Sequence, residues 1–148
     1  MQKQLSSLYR HYLASVVLFH LAAADRVGLS ATDYQALNIL QLDGPLPSGE
    51  LAARLGLTTS ATTRAIDRLV NAGYARRVPD EADRRIVRVE CTGTLPEGLG
   101  ELLASVRKPV SAALAQLSPE QLAGLELYWQ AAASAFAEQT RKIRAAGE

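Results

Sequence analysis

The stretch SGELAARLGLTTSATTRAIDRLVNAGYARRVPDEADRRIVRVECT, residues 48–92, decides the fold of this chain. Its first half predicts two short helices, because apolar residues recur there at helical spacing and turn residues separate the two runs. Ser48 is predicted to cap the first of these helices, which ends at Gly56 after barely two turns. Thr58 is predicted to cap the second, which runs to about Asn71.

The second half of this stretch predicts a β-hairpin. Two β-prone segments, Tyr74–Val78 and Arg85–Cys91, flank the polar turn Pro79–Arg84. Two helices joined by a tight turn and followed by a hairpin form a winged helix-turn-helix. In that arrangement the second helix enters the DNA major groove, the first crosses the backbone, and the hairpin reaches phosphates or the minor groove.

Helices are predicted on both sides of this module. An apolar stripe over residues 5–23 indicates an N-terminal helix, and Ser30 with Asp33 resembles a capping box at the start of the next one. Pro96 is predicted to open a fifth helix, and Ser118–Gln121 is a capping box that begins a sixth. We therefore predict one mainly α-helical domain over residues 1–148, with a small β-hairpin and the order α-α-α-α-β-β-α-α. Its parts are a winged-helix lobe at 30–92 and outer helices at 1–25 and 94–146.

The composition is that of an ordinary globular domain with one unusual cluster of charge. The 148 residues are 48% hydrophobic and 21% charged, and a net charge of +1 gives no global field that would attract nucleic acid. One cysteine excludes a disulfide within the chain and a cysteine-rich zinc site. Half of the basic residues nevertheless fall in one region, as Arg54, Arg64, Arg68, Arg76, Arg77, Arg84, Arg85 and Arg88. Such a patch suits phosphate and guanine contacts, or a solvated and salt-bridged surface.

The apolar run at residues 12–24 has two interpretations. It imitates a signal peptide, because Lys3 and Arg10 precede it and small residues end it. It is too short to span a bilayer as a helix. Leu5 and Leu8 extend the same helical stripe, so we predict a buried helix, a cytoplasmic protein and no membrane partner.

A helical wheel over residues 58–72 separates two faces of the second module helix. With Ile66 taken as inward, Thr62, Leu69 and Val70 fall within about 60° of it at roughly 100° per residue. The opposite face offers hydroxyl, guanidinium and amide groups, the mixture that reads a DNA groove. Its members are Ser60, Arg64, Asp67, Arg68 and Asn71. A protein-binding face would instead show apolar anchors.

Residues 48–92 resemble the winged helix of the multiple antibiotic resistance regulator (MarR) family. The family motif is Asp-x-Arg followed by a hydrophobic strand that ends in Leu-Thr. Here it reads Asp83–Arg85, then Ile86–Glu90, then Cys91–Thr92, with Cys91 in place of leucine. The flanking helices also suit the family, so the resemblance covers nearly the whole chain, although only the wing motif is specific.

The resemblance implies a DNA-contacting surface on the second module helix and the wing. Arg85, or its neighbour Arg84, would enter the minor groove, whereas Thr62 points inward on the wheel and suits packing or a phosphate contact. The predicted DNA-contacting set is Ser48, Thr59, Ser60, Thr62, Thr63, Arg64, Arg68, Arg76, Arg77, Arg84 and Arg85. Asp67 is predicted to pair with an arginine of the wing and keep the helix and the hairpin in register. Asp83 is predicted to hold the shape of the wing.

The resemblance also implies a homodimer and an effector. In this family the two ends of the chain pack together and against a second chain, which makes residues 1–25 and 94–146 dimerisation helices. Such a dimer would bind palindromic double-stranded DNA, and repression is the expected outcome. The family commonly responds to a small aromatic or phenolic ligand. His11, His20 and Tyr34 are the polar-tipped candidates for holding it, and core residues with satisfied hydrogen bonds are the alternative interpretation.

Other functions find little support in the sequence. No glycine-rich phosphate loop or nucleophile elbow is present. His11 and His20 point some 180° apart on a helix and cannot share a metal, so we predict no enzyme, no metal site and no cofactor. Cys91 faces the apolar side of its strand, where a thiol is usually inert, which argues against redox sensing. The remaining alternative is a winged helix that serves protein contacts without specific DNA binding.

Overall fold

The computed structural model describes residues 2–146, and within that range it has six helices and three strands. In chain order they are α1 (Gln2–Arg26), α2 (Ala31–Asp43), β1 (Leu46–Pro47), α3 (Ser48–Leu55), α4 (Thr59–Asn71), β2 (Ala75–Pro79), β3 (Val87–Cys91), α5 (Leu99–Leu114) and α6 (Pro119–Ala145). The predicted mainly helical fold with a small hairpin is therefore confirmed. Met1, the first residue of the predicted outer segment 1–25, lies outside the described residues. Residues 147–148, at the end of the predicted domain 1–148, also lie outside them.

The structure adds one strand that the sequence did not predict. Leu46 and Pro47 pair antiparallel with Val89 and Arg88 of β3, which gives a three-stranded sheet in the order β1-β3-β2. Two residues are too few to show an alternating pattern, and a proline argues against a strand. Proline is tolerated in this place because β1 is an edge strand.

Three of the predicted helix starts are confirmed by their capping bonds. The side chains of Ser30, Thr58 and Ser118 each accept a hydrogen bond from the backbone N–H three residues on. At Ser118 the box is complete, because the Gln121 side chain accepts the Ser118 N–H in return, at 2.8 Å. These bonds satisfy donors that a helix N-terminus otherwise leaves unpaired.

Two predicted starts are wrong. Ser48 is the first residue of α3 and not its cap; Pro47 holds the cap position, and no side chain caps this helix. Pro96 does not open α5, which begins three residues later, at Leu99. Gly98 forms that boundary with φ of 79°, a left-handed conformation that costs glycine little. Both errors arise because a residue type that is common at helix starts was taken to mark the start, without knowledge of the backbone path.

Most of the buried core belongs to the winged-helix lobe. The side chains of Leu37, Leu51, Ile66, Leu69 and Val89 are almost completely buried where α2, α3 and α4 pack on the sheet. A smaller cluster joins the end of α1 to α2 and to the start of α5. These contacts fix α4 and the hairpin relative to each other, which is what a composite binding surface requires.

The predicted apolar stripes of the outer helices are largely uncovered. Leu5 and Leu8 on α1 and Phe136 and Ile143 on α6 are exposed, and α6 has no buried residue among those described. Within this chain, the expectation of a buried N-terminal helix therefore holds only near the C-terminal end of α1, where Ala23 is buried.

The length and hydropathy of a helix decide whether it could cross a bilayer. Among residues 2–146, no single helix is both long and apolar enough to cross a bilayer. Only α1 and α2 taken together pass that test, and they meet at an angle of 103°.

Candidate nucleic-acid interface

Helix α4, the second helix of the predicted helix-turn-helix and here called the recognition helix, is fixed by its cap and by its buried face. Thr58 Oγ1 accepts the Ala61 N–H at 3.2 Å, which sets the first turn. Ile66 and Leu69 are buried in the core of the lobe, as the helical wheel predicts. The opposite face therefore has one defined orientation, on the surface of the molecule.

The exposed face of α4 carries the predicted mixture of polar groups. Thr59, Ser60, Thr63, Arg64 and Asn71 are all exposed. The Thr63 hydroxyl donates to the Thr59 carbonyl at 2.9 Å, and its oxygen lone pairs remain available to a ligand. Such a face can donate to and accept from base edges.

Thr62 has to be removed from the predicted DNA-contacting set. Its side chain is completely buried, and its hydroxyl donates to the Thr58 carbonyl at 3.0 Å. Neither a base nor a phosphate can reach it in this conformation. Thr62 is a packing residue, as its inward direction on the wheel suggested.

Ser48 lies away from the face of α4. It is half-buried at the first position of α3, directly after the edge strand β1. A role in phosphate contact through the start of α3 stays a prediction.

The arginine cluster divides into three groups according to the partner of each guanidinium. Arg64 and Arg84 take part in no ion pair within residues 2–146, and both are exposed. Arg64 is on the exposed face of α4, and Arg84 is on the loop at the tip of the hairpin. These two cations are free to contact an anionic ligand at no cost in broken ion pairs.

A second group is held by carboxylates that are at least partly exposed, and its members are Arg54, Arg76, Arg77 and Arg85. Arg54 of α3 pairs with Asp43 at 2.7 Å and with Glu50 at 2.8 Å. Arg76 pairs with Glu90 across the hairpin at 2.7 Å. Arg85 pairs with Asp83 at 2.9 Å, and the side chain of Arg85 is 91% exposed. Exposed pairs of this kind contribute little, so DNA phosphates can compete for these arginines.

The predicted contact between Asp67 and an arginine of the hairpin is present. Arg77 Nη2, on β2, donates to Asp67 Oδ1 of α4 at 2.6 Å. Both side chains are about half exposed. The pair links the recognition helix to the wing, as the register role of Asp67 requires.

A third group is held by buried aspartates, and sequence reasoning missed both of these pairs. Arg68 of α4 binds Asp33 of α2 through two hydrogen bonds, at 2.7 and 2.8 Å. Arg88 of β3 binds Asp80 and also donates to the Pro45 carbonyl at 3.0 Å. Asp33 and Asp80 are only 4% and 6% exposed. Asp80 gave a usable signal, because an aspartate directly after a proline at a turn favours a side-chain bond to the backbone two residues on.

Asp80 organises the tip of the wing. Its Oδ1 accepts the backbone N–H groups of Ala82 and Asp83 at 2.8 and 2.9 Å. These bonds, together with Arg88, hold the pKa of Asp80 below its usual value of 3.8. The shape of the wing therefore depends on an ionised carboxylate that the prediction did not include.

Asp83 makes contacts within the same loop, and its role in holding the shape of the wing stays a prediction. It accepts the Arg85 guanidinium at 2.9 and 3.0 Å and the Arg85 backbone N–H at 3.0 Å. The Arg85 guanidinium and then its N–H lower the pKa of the Asp83 carboxyl. The Asp83 carboxylate thereby orients the guanidinium of Arg85 at the tip of the wing.

The three candidate ligand residues do not converge. Tyr34 is buried and its hydroxyl lies 2.7 Å from His20 Nδ1, so these two side chains satisfy each other, and burial raises the pKa of Tyr34. His11 is exposed on α1, nine residues before His20. The arrangement matches the alternative interpretation of His20 and Tyr34, in which they are structural.

A cleft of about 730 Å³ lies elsewhere, where the end of α1 meets the hairpin and the start of α5. Its lining includes Arg26, Val27, Tyr74, Glu97, Glu101 and Leu102. None of the three candidate residues lines it.

A metal centre requires several His, Cys, Asp or Glu side chains close together. Among residues 2–146, no group of three or more His, Cys, Asp or Glu side chains is placed to hold a metal ion. Cys91 is half-buried, its thiol donates to the Leu37 carbonyl at 3.6 Å, and burial raises its pKa.

Comparison with known proteins agrees with this geometry. The model of the MarR family matches residues 27–86, which span α2 to the wing. The uncharacterized HTH-type transcriptional regulator YcgE of Bacillus subtilis (strain 168) is 42% identical over 87 residues. These residues are 59% of this chain and 56% of YcgE, so the match spans little more than half of that relative.

Solved structures extend the likeness over most of the chain. The transcriptional regulator BldR of Sulfolobus solfataricus has a TM-score of 0.53 and 30% identity, covering 87% of this chain and 94% of BldR. A mutant of MepR from S. aureus, solved bound to an oligodeoxyribonucleotide, shares the fold with a TM-score of 0.57. That comparison covers 88% of this chain and 96% of MepR at 18% identity. On the wing motif, the architecture and these matches, the chain belongs to the MarR family of winged helix-turn-helix proteins.

Proposed function

We propose that this protein is a transcriptional regulator and not an enzyme, and that it binds double-stranded DNA through α4 and the wing. The observation that carries the proposal is the exposed polar face of α4, with the unpaired Arg64 beside the hydroxyl groups of Ser60 and Thr63. The DNA-bound state of the MepR structure supports the same use of the fold.

Base readout and phosphate contact are assigned to different residues. Arg64, in the N-terminal half of α4, is the base-reading cation, since that half of a recognition helix meets base edges. Arg84 and Arg85 at the wing supply minor-groove or phosphate contacts. Arg76 and Arg77 join them when phosphates displace their carboxylate partners, Glu90 and Asp67, whose side chains are 22% and 51% exposed.

A homodimer that binds palindromic DNA completes this proposal. The apolar stripes of α1, α5 and α6 are largely uncovered within the described part of the chain, and a second copy would bury their exposed residues. Two recognition helices would then meet half-sites about one helical turn apart, roughly 34–36 Å. We propose repression as the regulatory outcome.

An effector site is proposed in the cleft between α1, the hairpin and α5, rather than at His11, His20 and Tyr34. The cleft combines Arg26 and Tyr74 with the apolar side chains of Val27 and Leu102. The lining also includes the carboxylates of Glu97 and Glu101, so the cleft suits a small neutral phenol, whose hydroxyl can donate to a carboxylate, better than an aromatic acid. Binding of phenol, followed by calorimetry on the protein and on Glu101→Ala, tests this assignment. Weaker binding to the variant is expected, and equal binding to both contradicts it.

Selection of duplexes from a random DNA library tests the main function. The expected result is an enriched motif with two inverted half-sites about 10 base pairs apart, bound by two chains. A protein-binding winged helix would enrich no motif, and that result would overturn the proposal.

A further inference from the structure

The ion pair between Asp33 and Arg68 differs from every other arginine contact on α4. Arg68 Nε donates to Asp33 Oδ2 at 2.8 Å and Arg68 Nη2 donates to Oδ1 at 2.7 Å, so the guanidinium binds in a bidentate manner. The carboxylate is 4% exposed, whereas the side chain of Arg68 is 52% exposed. An arginine on the exposed face of the recognition helix is thus tied to the interior of the lobe.

The position of Asp33 explains why its carboxylate is available for this contact. Asp33 is the third residue of α2, and its backbone N–H donates to Ser30 Oγ at 3.1 Å. A Glu or Gln side chain at that position commonly turns back to the N-cap backbone. The shorter side chain of Asp33 reaches across to α4 instead. The N-terminus of α2 also favours a negative charge there.

The two ion pairs that involve α4 differ in how easily DNA could displace the carboxylate from its arginine. Releasing Arg77 from Asp67 exposes two charges that water already reaches, since these side chains are 40% and 51% exposed. Releasing Arg68 would leave the buried carboxylate of Asp33 without a counter-charge, which is strongly unfavourable. A phosphate contact at the protein surface does not compensate for that loss.

We propose that Asp33 is a positioning residue that withholds Arg68 from DNA, and that it thereby lowers the sequence-independent affinity of the protein. Arg68 consequently does not belong to the DNA-contacting set, although it lies on the same face of α4 as Arg64. This inference rests on the proposed DNA-binding function. The role of holding Arg68 away from DNA is additional to the burial of Asp33 and to its position at the start of α2.

The salt dependence of DNA binding tests this proposal without knowledge of the operator. The affinity for DNA falls with salt by a slope of about 0.9 in log–log terms for each phosphate contact. Binding of the full chain to a fluorescein-labelled, mixed-sequence duplex is measured by anisotropy from 50 to 200 mM NaCl. The key variant is Asp33→Asn with Arg68→Gln, because it removes both charges and leaves no buried charge unpaired.

The expected result for this double variant is the same slope as the wild-type protein. The matched control is Asp67→Asn with Arg77→Gln, which removes the exposed pair between the same helix and β2. Its slope is expected to be smaller by about 0.9 for each chain that contacts the duplex. A slope lowered equally in both double variants would overturn the proposal, because Arg68 would then be a phosphate ligand.

A single variant probes the same point in the opposite direction. Asp33→Asn alone releases Arg68, so its slope is expected to steepen by about 0.9 for each added contact, which is a further loss of roughly 3.5-fold in affinity between 50 and 200 mM NaCl. An unchanged slope in folded Asp33→Asn would contradict the proposal. The absence of any DNA binding by the wild-type protein would overturn the proposed function itself, which separates the two failures.

Discussion

The winged-helix lobe and the outer helices bury their apolar residues in different ways. In the lobe, Leu37, Leu51 and Ile66 are at most 2% exposed. On α6, Phe136 and Ile143 are 53% and 73% exposed. Both regions show apolar residues at helical spacing in the sequence. The difference teaches that periodicity identifies a face to be buried, but not whether the covering surface belongs to the same chain.

This difference separates two kinds of stability. The lobe has a closed core, so its unfolding should not depend on protein concentration. The outer helices need a partner surface in order to bury theirs, and on our proposal that partner is a second copy. Substitutions in the two regions are therefore expected to change different measurements.

The largest effect is expected from a cavity in the lobe. Leu37→Ala should lower the free energy of unfolding by about 2–5 kcal/mol, because the lost side chain is completely surrounded by α2, α4 and the sheet. Urea denaturation gives this value. Leu42→Ala is the matched control in the same helix, since Leu42 is exposed, and its change should stay within about 0.5 kcal/mol. Similar losses in both variants would contradict the packing described for α2.

A smaller effect, in a different measurement, is expected from α6. Phe136→Ala should weaken the proposed dimer by about 1.5–3 kcal/mol in total, because each of the two chains would lose an aromatic ring that is 53% exposed without a partner. Sedimentation equilibrium measures the dissociation constant. Leu127, nine residues away and on the opposite face of α6, provides the control variant Leu127→Ala. A monomeric wild-type protein, or equal weakening by both variants, would rule out this interface.

DNA discrimination should depend on the unpaired arginine of α4. Arg64→Ala is expected to reduce discrimination at one base position by about 1–3 kcal/mol. Arg85→Ala should instead weaken binding to all sequences alike, because a wing contact to phosphate carries no base information. Anisotropy with the selected duplex and its single-base variants distinguishes the two patterns. Uniform weakening by Arg64→Ala would show that this residue does not read bases.

The smallest effect is expected in the pH dependence of the lobe. The pKa of Asp80 is lowered in the folded state, so its ionised carboxylate adds stability above pH 3.8. That contribution is lost as the pH falls below this value towards the folded-state pKa. Asp80→Asn should therefore have a melting temperature below wild type at pH 7, and the difference should shrink towards pH 3. Melting curves that stay parallel over this range would argue against the role of Asp80.

The sequence predicted those features that depend on neighbours within a few turns. The order of the helices, the exposed face of α4 and the caps at Thr58 and Ser118 all follow from local spacing. The contact of Asp67 with the hairpin was also predicted, because the two elements adjoin in the chain. Such features need only the periodicity of a helix and the chemistry of its ends.

The features that the sequence did not predict depend on distant parts of the chain. Asp33 and Arg68 are 35 residues apart, and only the packing of α2 against α4 brings them together. The pairing of Leu46 with Val89 likewise depends on the completed fold. Burial of Thr62 was indicated by the wheel, but the resemblance to the family drew it into the DNA-contacting set. Local patterns place charged residues on faces without naming their partners.

The thiol of Cys91 is a natural chemical probe of the packing in the lobe. Its Sγ donates to the Leu37 carbonyl, at the seam where α2 lies on β3. A maleimide reacts with the thiolate, and burial raises the pKa of this half-buried thiol, which slows labelling of the folded lobe. The labelling rate of the unmodified protein therefore reports how easily a reagent reaches the contact between α2 and β3. A lower rate with DNA bound would show that DNA binding tightens this contact, without an added probe.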